Sequence, residues 1–381
     1  MKKRVAVFGA TGSIGRNTLD VIRKSCLEPV LFSSHSNEKE LVKLGEEFPR
    51  ALLVLTGRGN TGAAIPFAGG EGLRKAISSC GADIAVNGIA GSAGLYPSVW
   101  ALEAGMDLAL ANKETVVMAG PLVLELAEKK GARILPVDSE HSAIFHLIQA
   151  HGVERLEKVL LTASGGPFRN ASPEEMKKIS AAEALAHPTW KMGPKISIDS
   201  ATLANKGLEV IEAVRLFAVP PETIEVVIHP QSVVHSMIRL KDGAVYAQLS
   251  NPDMRLPIAE ALFQPATPPS PFGKLDFEDL HLDFGRPDPE RFPMLPLAFK
   301  TSSLGGLYPS AYNAANEAAV AAFLEGRIGF LDIYPVVRYV IEREWNRELT
   351  SLELVFEGDA RARELANAYI RERFQNRPGF G

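Results

Sequence analysis

Short apolar runs alternate with amphipathic stretches through the first third of the chain. The run at residues 4–8 precedes a helical pattern at Ile14, Leu19 and Ile22, and the same pair recurs at residues 30–33 and 38–48. Further strands are predicted at residues 51–55, 84–86, 107–110 and 133–137, and further helices at 73–79, 93–104 and 115–130. This alternation predicts an α/β fold with an N-terminal Rossmann-like, doubly wound parallel sheet.

The pattern changes in the second half of the chain. Strand-like runs at 224–228, 233–240 and 244–249, with a hairpin signal at Asp242-Gly243, predict a second sheet. Proline-rich residues then predict a linker, and helical patterns follow at 296–303, 310–325, 331–344 and 358–374. We therefore expect a first domain at 1–140, a central α+β domain at 141–263, a linker at 264–294 and a C-terminal helical domain at 295–381.

The central segment at residues 187–209 combines a loop, a predicted strand at 196–198 and the start of a helix. The helix carries Asn205, Lys206 and Glu209, and the last two have the i,i+3 spacing of an ordinary surface ion pair. The alternative is a lid followed by an anion pocket and a carboxylate ligand. The segment alone does not decide between them.

The glycines at Gly9, Gly12 and Gly15 separate the first strand from the first helix, where a dinucleotide fingerprint would lie. Glycines allow close approach to a pyrophosphate, and a helix N-terminus favours it. The alternative is a tight strand-to-helix turn. At the end of the second strand, Ser36 and Asn37 follow His35 where NAD enzymes carry an acid; this favours NADP, although the same residues could cap the next helix.

The composition of the chain argues against several classes of binding partner and location. The net charge is -4 with no basic block, so nucleic acid and anionic membranes are not expected partners. Two cysteines suit a reducing compartment, and the first strand begins by Arg4, which leaves no space for a targeting peptide. No apolar run reaches the ~20 residues that span a bilayer. A soluble, cytoplasmic protein is expected.

Asp138 and Glu140 are a candidate metal-binding pair at the end of a predicted strand. If the strand continues through them, both carboxylates point to one face and suit Mg²⁺ or Mn²⁺, with Glu209 as the third ligand. The alternative is that Glu140 and His141 cap a helix predicted at 142–150. Asn112, Lys113 and Glu114 follow a neighbouring predicted strand, so we expect them at the same edge of the sheet.

Eight blocks of sequence occur in an order that resembles the 1-deoxy-D-xylulose 5-phosphate reductoisomerase family. They are GATGSIG, LANKE, PVDSEHSAIF, SGGPF, HPTWKMG, KISIDSATLANKGLE, IHPQSVVHSM and NPDMR. The resemblance implies a homodimeric enzyme of the non-mevalonate isoprenoid pathway. Such an enzyme uses NADPH and a divalent metal to convert 1-deoxy-D-xylulose 5-phosphate to 2-C-methyl-D-erythritol 4-phosphate, by a skeletal rearrangement followed by hydride transfer.

The resemblance also implies roles for individual residues. Metal ligands fall on Asp138, Glu140 and Glu209, which with Lys113 form the catalytic set. Substrate contacts fall on Lys113, Ser139, Glu140, Ser164, His187, Ser200, Asn205, Lys206 and Glu209, and a closing lid on His187, Trp190 and Met192. Cofactor contacts fall on Thr11, Gly12, Ser13, Ile14, Ser36, Asn37, Asn112, Glu114 and Gly193. His35 departs from the family pattern, in which a glycine is common at this position.

Two other functions compete with this one. A semialdehyde or homoserine-type dehydrogenase shares the predicted first domain, but the semialdehyde enzyme needs a nucleophilic cysteine beyond it, and both cysteines precede residue 81. A non-catalytic NADP-binding sensor would not need the acid pair, Glu209 and the lid together. We assign core or supporting roles to His229 and His235, and a packing role to Asn313, Asn316 and Glu317.

Overall fold

Two compact units make up the part of the chain that the computed structural model describes, residues 2–57, 65–186, 189–190, 192–266 and 272–374. Unit 1 contains Met1–Thr115, Val123–Ser142 and Asp253–Lys274, and unit 2 contains Val116–Leu122, Ala143–Pro252 and Leu275–Gly381. The chain therefore passes between the units several times. The four-part domain division drawn from the sequence stays a prediction.

A seven-stranded parallel sheet forms the centre of unit 1. Its order is β4-β3-β2-β1-β5-β6-β7, with β1 Arg4–Phe8, β2 Glu28–Ser34, β3 Leu52–Leu55, β4 Phe67–Ala68, β5 Ile84–Asn87, β6 Asp107–Leu110 and β7 Ile134–Pro136. Strand β1 lies between β2 and β5, so the order reverses there, and ligands of open α/β sheets bind at such a point. The predicted doubly wound sheet is confirmed, and β4 is a strand that the sequence pattern did not predict.

Helices follow most of these strands. They are α1 Ser13–Arg23, α2 Glu38–Glu47, α3 Gly69–Cys80, α4 Leu95–Glu103, α5 Lys113–Lys130 and α6 Ser139–His151, while α11 Arg255–Phe263 returns late in the chain and packs on α1. Val5, Ala6, Val7 and Phe8 are fully buried. Strands that are covered on both faces have continuous apolar sequences. The apolar run at residues 4–8 therefore predicted a strand correctly.

A smaller mixed sheet lies in unit 2, in the order β11-β10-β8-β9. Its strands are β8 Leu156–Ala163, β9 Ile224–Ile228, β10 Val234–Leu240 and β11 Val245–Leu249. Strand β8 is parallel to β9, whereas β10 is antiparallel to β8 and β11. Gly243 has a φ of +87°, which the turn between β10 and β11 requires. The second sheet is therefore confirmed.

Helices complete unit 2. They are α7 Pro173–Met176, α8 Ala181–Leu185, α9 Pro194–Ala201, α10 Ala204–Leu216, α12 Met294–Leu304, α13 Tyr308–Leu324, α14 Ile333–Ile341 and α15 Leu352–Phe374. Single 3-10 turns lie at Ser92–Gly94 in unit 1 and at Val153–Arg155, Pro221–Thr223 and Phe330–Asp332 in unit 2. Ser172 and Ser180 open α7 and α8 through capping boxes. Among the helices of the described ranges, none has the length and apolarity that crossing a membrane requires.

The strand predicted at residues 196–198 is wrong, because these residues lie inside helix α9. Pro194 occupies the first turn, where a proline is well tolerated, and the Ser197 N–H donates to the Gly193 carbonyl at 3.1 Å. Three alternating residues fit the period of a strand and of a buried helix equally well. Packing of α9 against α13 favours the helix.

Candidate active site

The glycine turn after β1 is shaped for close approach of a ligand. Gly9 has a φ of +76°, and a Cβ at Gly15 would lie 2.4 Å from the Gly9 carbonyl oxygen. No side chain caps the N-terminus of α1, which begins at Ser13. The turn therefore presents Thr11, Gly12, Ser13 and Ile14 beside a helix N-terminus, an arrangement suited to a pyrophosphate.

The end of β2 carries the residues predicted at the 2′-phosphate. Ser36 and Asn37 are exposed, and the Asn37 side chain accepts a hydrogen bond from the Glu40 N–H at 3.2 Å, so it caps α2. His35 lies 3.2 Å from the Thr56 hydroxyl. The capping alternative is thus confirmed for Asn37, and Ser36 stays exposed at the carboxyl edge of the sheet.

Asn112 organises the edge of the sheet after β6. Its side-chain amide donates to the carbonyls of Ile89 and Gly91 and to the Glu114 carboxylate, at 2.7, 2.8 and 2.9 Å. Its Oδ1 accepts from the Thr115 N–H at 3.1 Å and so caps α5. The buried Asn112 side chain therefore forms its hydrogen bonds within the protein. These bonds fix the direction in which Lys113 and Glu114 leave the strand.

Lys113 and Asp138 meet in unit 1. The Lys113 ammonium lies 2.5 Å from Asp138 Oδ2, and the lysine side chain is 5% exposed. His141, which is fully buried, places Nδ1 3.7 Å from Asp138 Oδ1. The sequence pattern predicted His141 only at the start of a helix. The sequence feature that could have predicted His141 next to Asp138 is the Glu140-His141 pair in the first helical turn after a buried strand.

The assumption that β7 runs through Asp138 and Glu140 is wrong. Strand β7 ends at Pro136, and helix α6 begins at Ser139. Asp138 accepts the Glu140 N–H at 3.3 Å through Oδ1 and the Ser142 N–H at 2.8 Å through its carbonyl, so it starts the helix. Glu140 lies in the first helical turn, where its carboxylate accepts the Ser139 hydroxyl.

In unit 2, the turn that carries Ser164 packs directly against helix α9. Gly165 and Gly166 have φ values of +82° and +70°, and a Cβ at Gly166 would lie 2.6 Å from the Ser200 carbonyl oxygen. Any larger residue there would push the turn away from the helix. The two glycines therefore bring the Ser164 turn and Ser200 together, as the predicted phosphate pocket requires.

Helix α10 follows α9 after a sharp bend at Leu203, whose φ is +57°. Its first turns carry Asn205, Lys206 and Glu209. Asn205 donates to Glu209 Oε1 at 2.5 Å, and the Lys206 ammonium forms an ion pair with Glu209 Oε2. Lys206 and Glu209 are both buried, so the pair is not on a solvated face.

The lid residues are only partly described. His187, predicted for both lid and substrate, lies outside the described residues, as do residues 188 and 191. Trp190 and Met192 are half-buried, and Gly193 precedes the first residue of α9. The predicted closure of this segment stays a prediction.

Supporting residues of unit 2 follow the sequence assignment in part. His229 is fully buried: its Nδ1 lies 2.8 Å from the Asp283 carbonyl, and its Nε2 accepts the Val233 and Val234 N–H groups. His235 Nε2 lies 2.7 Å from the Ser250 hydroxyl. The sequence did not suggest that Asn316 binds Asp199 of helix α9. A separation of 117 residues leaves no local pattern to find.

The family models and known proteins that are similar to this chain all point to one enzyme family. Family models match along most of its length: 1-deoxy-D-xylulose 5-phosphate reductoisomerase at residues 5–120, the C-terminal domain of that enzyme at 134–217, and the DXP reductoisomerase C-terminal domain at 249–365. The 1-deoxy-D-xylulose 5-phosphate reductoisomerase of Treponema denticola is 50% identical over 375 residues, covering 98% of each chain. That of Chlorobaculum tepidum is 47% identical, covering 97% of this chain and all of the relative.

Solved structures give the same result. The reductoisomerase of Zymomonas mobilis in complex with NADPH is 41% identical with a TM-score of 0.89, covering 97% of this chain and 99% of that one. A DOX-P reductoisomerase in complex with NADPH, fosmidomycin and magnesium is 39% identical with a TM-score of 0.91, covering 97% and 98%. The chain therefore belongs to the 1-deoxy-D-xylulose 5-phosphate reductoisomerase family.

Proposed function

We propose that this chain is an NADPH-dependent reductoisomerase of the non-mevalonate isoprenoid pathway. It converts 1-deoxy-D-xylulose 5-phosphate to 2-C-methyl-D-erythritol 4-phosphate. The observation that carries the proposal is the set of buried ionisable side chains in the family motifs, Lys113 in unit 1 and Lys206 and Glu209 in unit 2. Burying such charges is costly, so they are typical of a site that handles charged ligands.

We assign the divalent metal to Asp138, Glu140 and Glu209. Carboxylate oxygens are the donors that Mg²⁺ and Mn²⁺ prefer, and the first two stand at the start of α6, so the donor chemistry fits. A bound divalent ion polarises the ketone and stabilises negative charge developing on substrate oxygens. Lys113 holds Asp138 in place and offers a proton donor, and Ser139 orients the Glu140 carboxylate.

The substrate phosphate is assigned to Ser164, Ser200, Asn205 and Lys206 of unit 2, together with His187. Hydroxyl, amide and ammonium donors form charge-assisted hydrogen bonds to a phosphate dianion. The close packing of the Ser164 turn on α9 supports this assignment. His187, Trp190 and Met192 are assigned to a lid that excludes water from the reacting carbons.

The cofactor is assigned to the glycine turn and the carboxyl edge of the unit 1 sheet. Thr11, Gly12, Ser13 and Ile14 receive the pyrophosphate, and Ser36 and Asn37 receive the 2′-phosphate. Asn112, Glu114 and Gly193 complete the set. NADPH, when bound, supplies the hydride for the second step. Cys26 and Cys80 are free thiols, which supports a reducing compartment such as the cytoplasm.

The assay is NADPH oxidation with 1-deoxy-D-xylulose 5-phosphate, with Mg²⁺ or Mn²⁺ and after treatment with a chelator. Turnover is expected only when both the substrate and the metal are present. Absence of turnover, or turnover that is indifferent to the chelator, contradicts the proposal. Activity on a semialdehyde or on homoserine instead would indicate one of the alternative dehydrogenases.

A further inference from the structure

Asp199 is a buried carboxylate within helix α9, with 1% of its side chain exposed. One turn earlier in the helix, the Lys195 ammonium lies 2.8 Å from Asp199 Oδ2. From helix α13, the Asn316 amide donates to Asp199 Oδ1 at 2.7 Å. A single carboxylate is thus fixed from two directions, once from its own helix and once from the C-terminal helices of unit 2.

Helix α9 depends on such contacts because it has only eight residues. A helix of this length is unstable on its own in water, so its position is set by packing. Ser200 follows Asp199, and its carbonyl is the atom against which Gly166 packs. Fixing the Asp199 carboxylate therefore fixes the rotation of α9 about its axis and the direction of the Ser200 hydroxyl.

Helix α13 also supports the neighbouring helix α10. The Tyr312 hydroxyl donates to the Met294 carbonyl at 3.1 Å and lies 3.0 Å from where a Cβ at Gly207 would be. Gly207 follows Lys206, so α13 contacts both helices that carry the assigned phosphate donors. Asn316 Oδ1 is buried with no hydrogen-bond partner in the described part of the chain. An apolar side chain would avoid burying this unpaired oxygen, but it would also remove the donor to the buried Asp199 Oδ1. The amide is therefore explained by its contact with Asp199.

We propose that Asn316 is a positioning residue for recognition of the substrate phosphate, acting through Asp199 on the orientation of helix α9. The inference rests on the proposed function. It gives the C-terminal helices a part in substrate affinity, whereas the sequence indicated packing alone. Asn316 touches neither substrate nor cofactor in this proposal.

The test compares Asn316→Leu with Asn313→Leu. Asn313 is a matched control: it is equally buried on the same helix, but its amide donates to Glu317 at 3.0 Å and not to α9. Asn316→Leu should raise KM for 1-deoxy-D-xylulose 5-phosphate about tenfold or more, with KM for NADPH within about twofold. Asn313→Leu should lower Tm by about as much as Asn316→Leu does, but it should leave both KM values unchanged.

A rescue variant separates positioning from general packing. The exchanged pair Asp199→Asn with Asn316→Asp keeps an amide–carboxylate hydrogen bond between the helices and should recover much of the KM. Equal KM shifts in Asn316→Leu and Asn313→Leu, or an unchanged KM in Asn316→Leu, would overturn the inference alone. Inactive wild-type protein in the same assay would overturn the proposed function and this inference with it.

Discussion

Lys113 and Glu209 are charged side chains that lie almost completely out of solvent, at 5% and 1% exposure. Each is paired within its own unit, Lys113 with Asp138 and Glu209 with Lys206. The i,i+3 spacing in the sequence indicated the second pair. The first joins residues 25 positions apart and could be expected only from the parallel sheet, whose strand ends share one edge.

Glu209→Gln is expected to lower kcat about a hundredfold or more and to leave NADPH affinity within about twofold. The amide keeps the volume and one of the two accepting oxygens, but it loses the second acceptor and the charge of a metal ligand. Glu212→Gln is the control, because Glu212 is equally buried on the same helix and outside the assigned set. Steady-state kinetics in both substrates measure the effect. Equal loss of kcat and of NADPH affinity would instead mark Glu209 as a structural residue.

Asp253 is expected to stabilise unit 1 at neutral pH and not in acid. Burial alone would raise the pKa of its carboxyl, but hydrogen bonds from the Arg255 guanidinium and N–H, with the charges of Arg255 and Lys24, hold the pKa below its usual value. A carboxyl whose pKa is lowered in the folded state stabilises the fold at pH values above its usual pKa. This stabilisation is lost as the pH falls through the lowered pKa. Urea unfolding of wild type and Asp253→Asn should therefore differ most at pH values well above the usual aspartate pKa of about 3.9, and the difference should shrink as the pH falls below it. A gap that does not change with pH would refute the charge-based explanation.

Helix α5 shows how an element departs from its sequence pattern. The predicted helix at 115–130 is present, but Ala119 has a φ of -132° and breaks it. Pro121 lacks an N–H, so the Val117 carbonyl four residues earlier has no intrahelical donor. Arg215 donates to the Val117 carbonyl at 2.6 Å and to the Val116 carbonyl at 2.7 Å, and all three residues belong to unit 2. Burial lowers the pKa of the Arg215 guanidinium to about 10, which still leaves it charged at neutral pH.

Arg215→Met should reduce the free energy of unfolding by about 1–3 kcal/mol, because two carbonyls at the break lose their donor. The measurement is urea unfolding at neutral pH. Arg338→Met is the control, since that arginine is 58% exposed and its ion pair with Glu342 should contribute less than about 1 kcal/mol. Similar losses in the two variants would show that Arg215 does not stabilise the broken helix.

At the scale of the whole molecule, the second sheet ends in an exposed edge strand. Strand β11 pairs only with β10 within the described sheet, and Val245 and Tyr246 on it are 49% and 38% exposed. An apolar edge of this kind favours pairing with another chain, and native proteins rarely leave one uncovered. We therefore predict that a homodimer pairs at this edge; the sequence suggested a homodimer chiefly through the family.

The wild-type protein is expected to have the mass of a dimer in size-exclusion chromatography with light scattering. Val245→Lys with Tyr246→Lys should shift it toward the monomer, because the added charges oppose pairing at the edge. Leu331→Lys is the control, as Leu331 is similarly exposed at 42% but lies away from this sheet, in the Phe330–Asp332 turn. A monomeric wild type, or a dimer unaffected by the double substitution, would contradict the edge as the interface.

The sequence by itself determined the elements whose pattern is local. The buried run before Gly9, the strand at Ile224–Ile228 and the capping boxes at Ser172 and Ser180 follow from neighbouring residues, as does the ion-pair spacing on α10. Family motifs supplied the proposed roles of the site residues. Only the tertiary structure decided that residues 196–198 are helical and that β7 stops before Asp138. It also decided that Arg215 and Asn316 form hydrogen bonds to residues far away in the sequence. These outcomes depend on contacts between residues far apart in the chain, and the packing energy of such contacts outweighs the weak local preferences of a few residues.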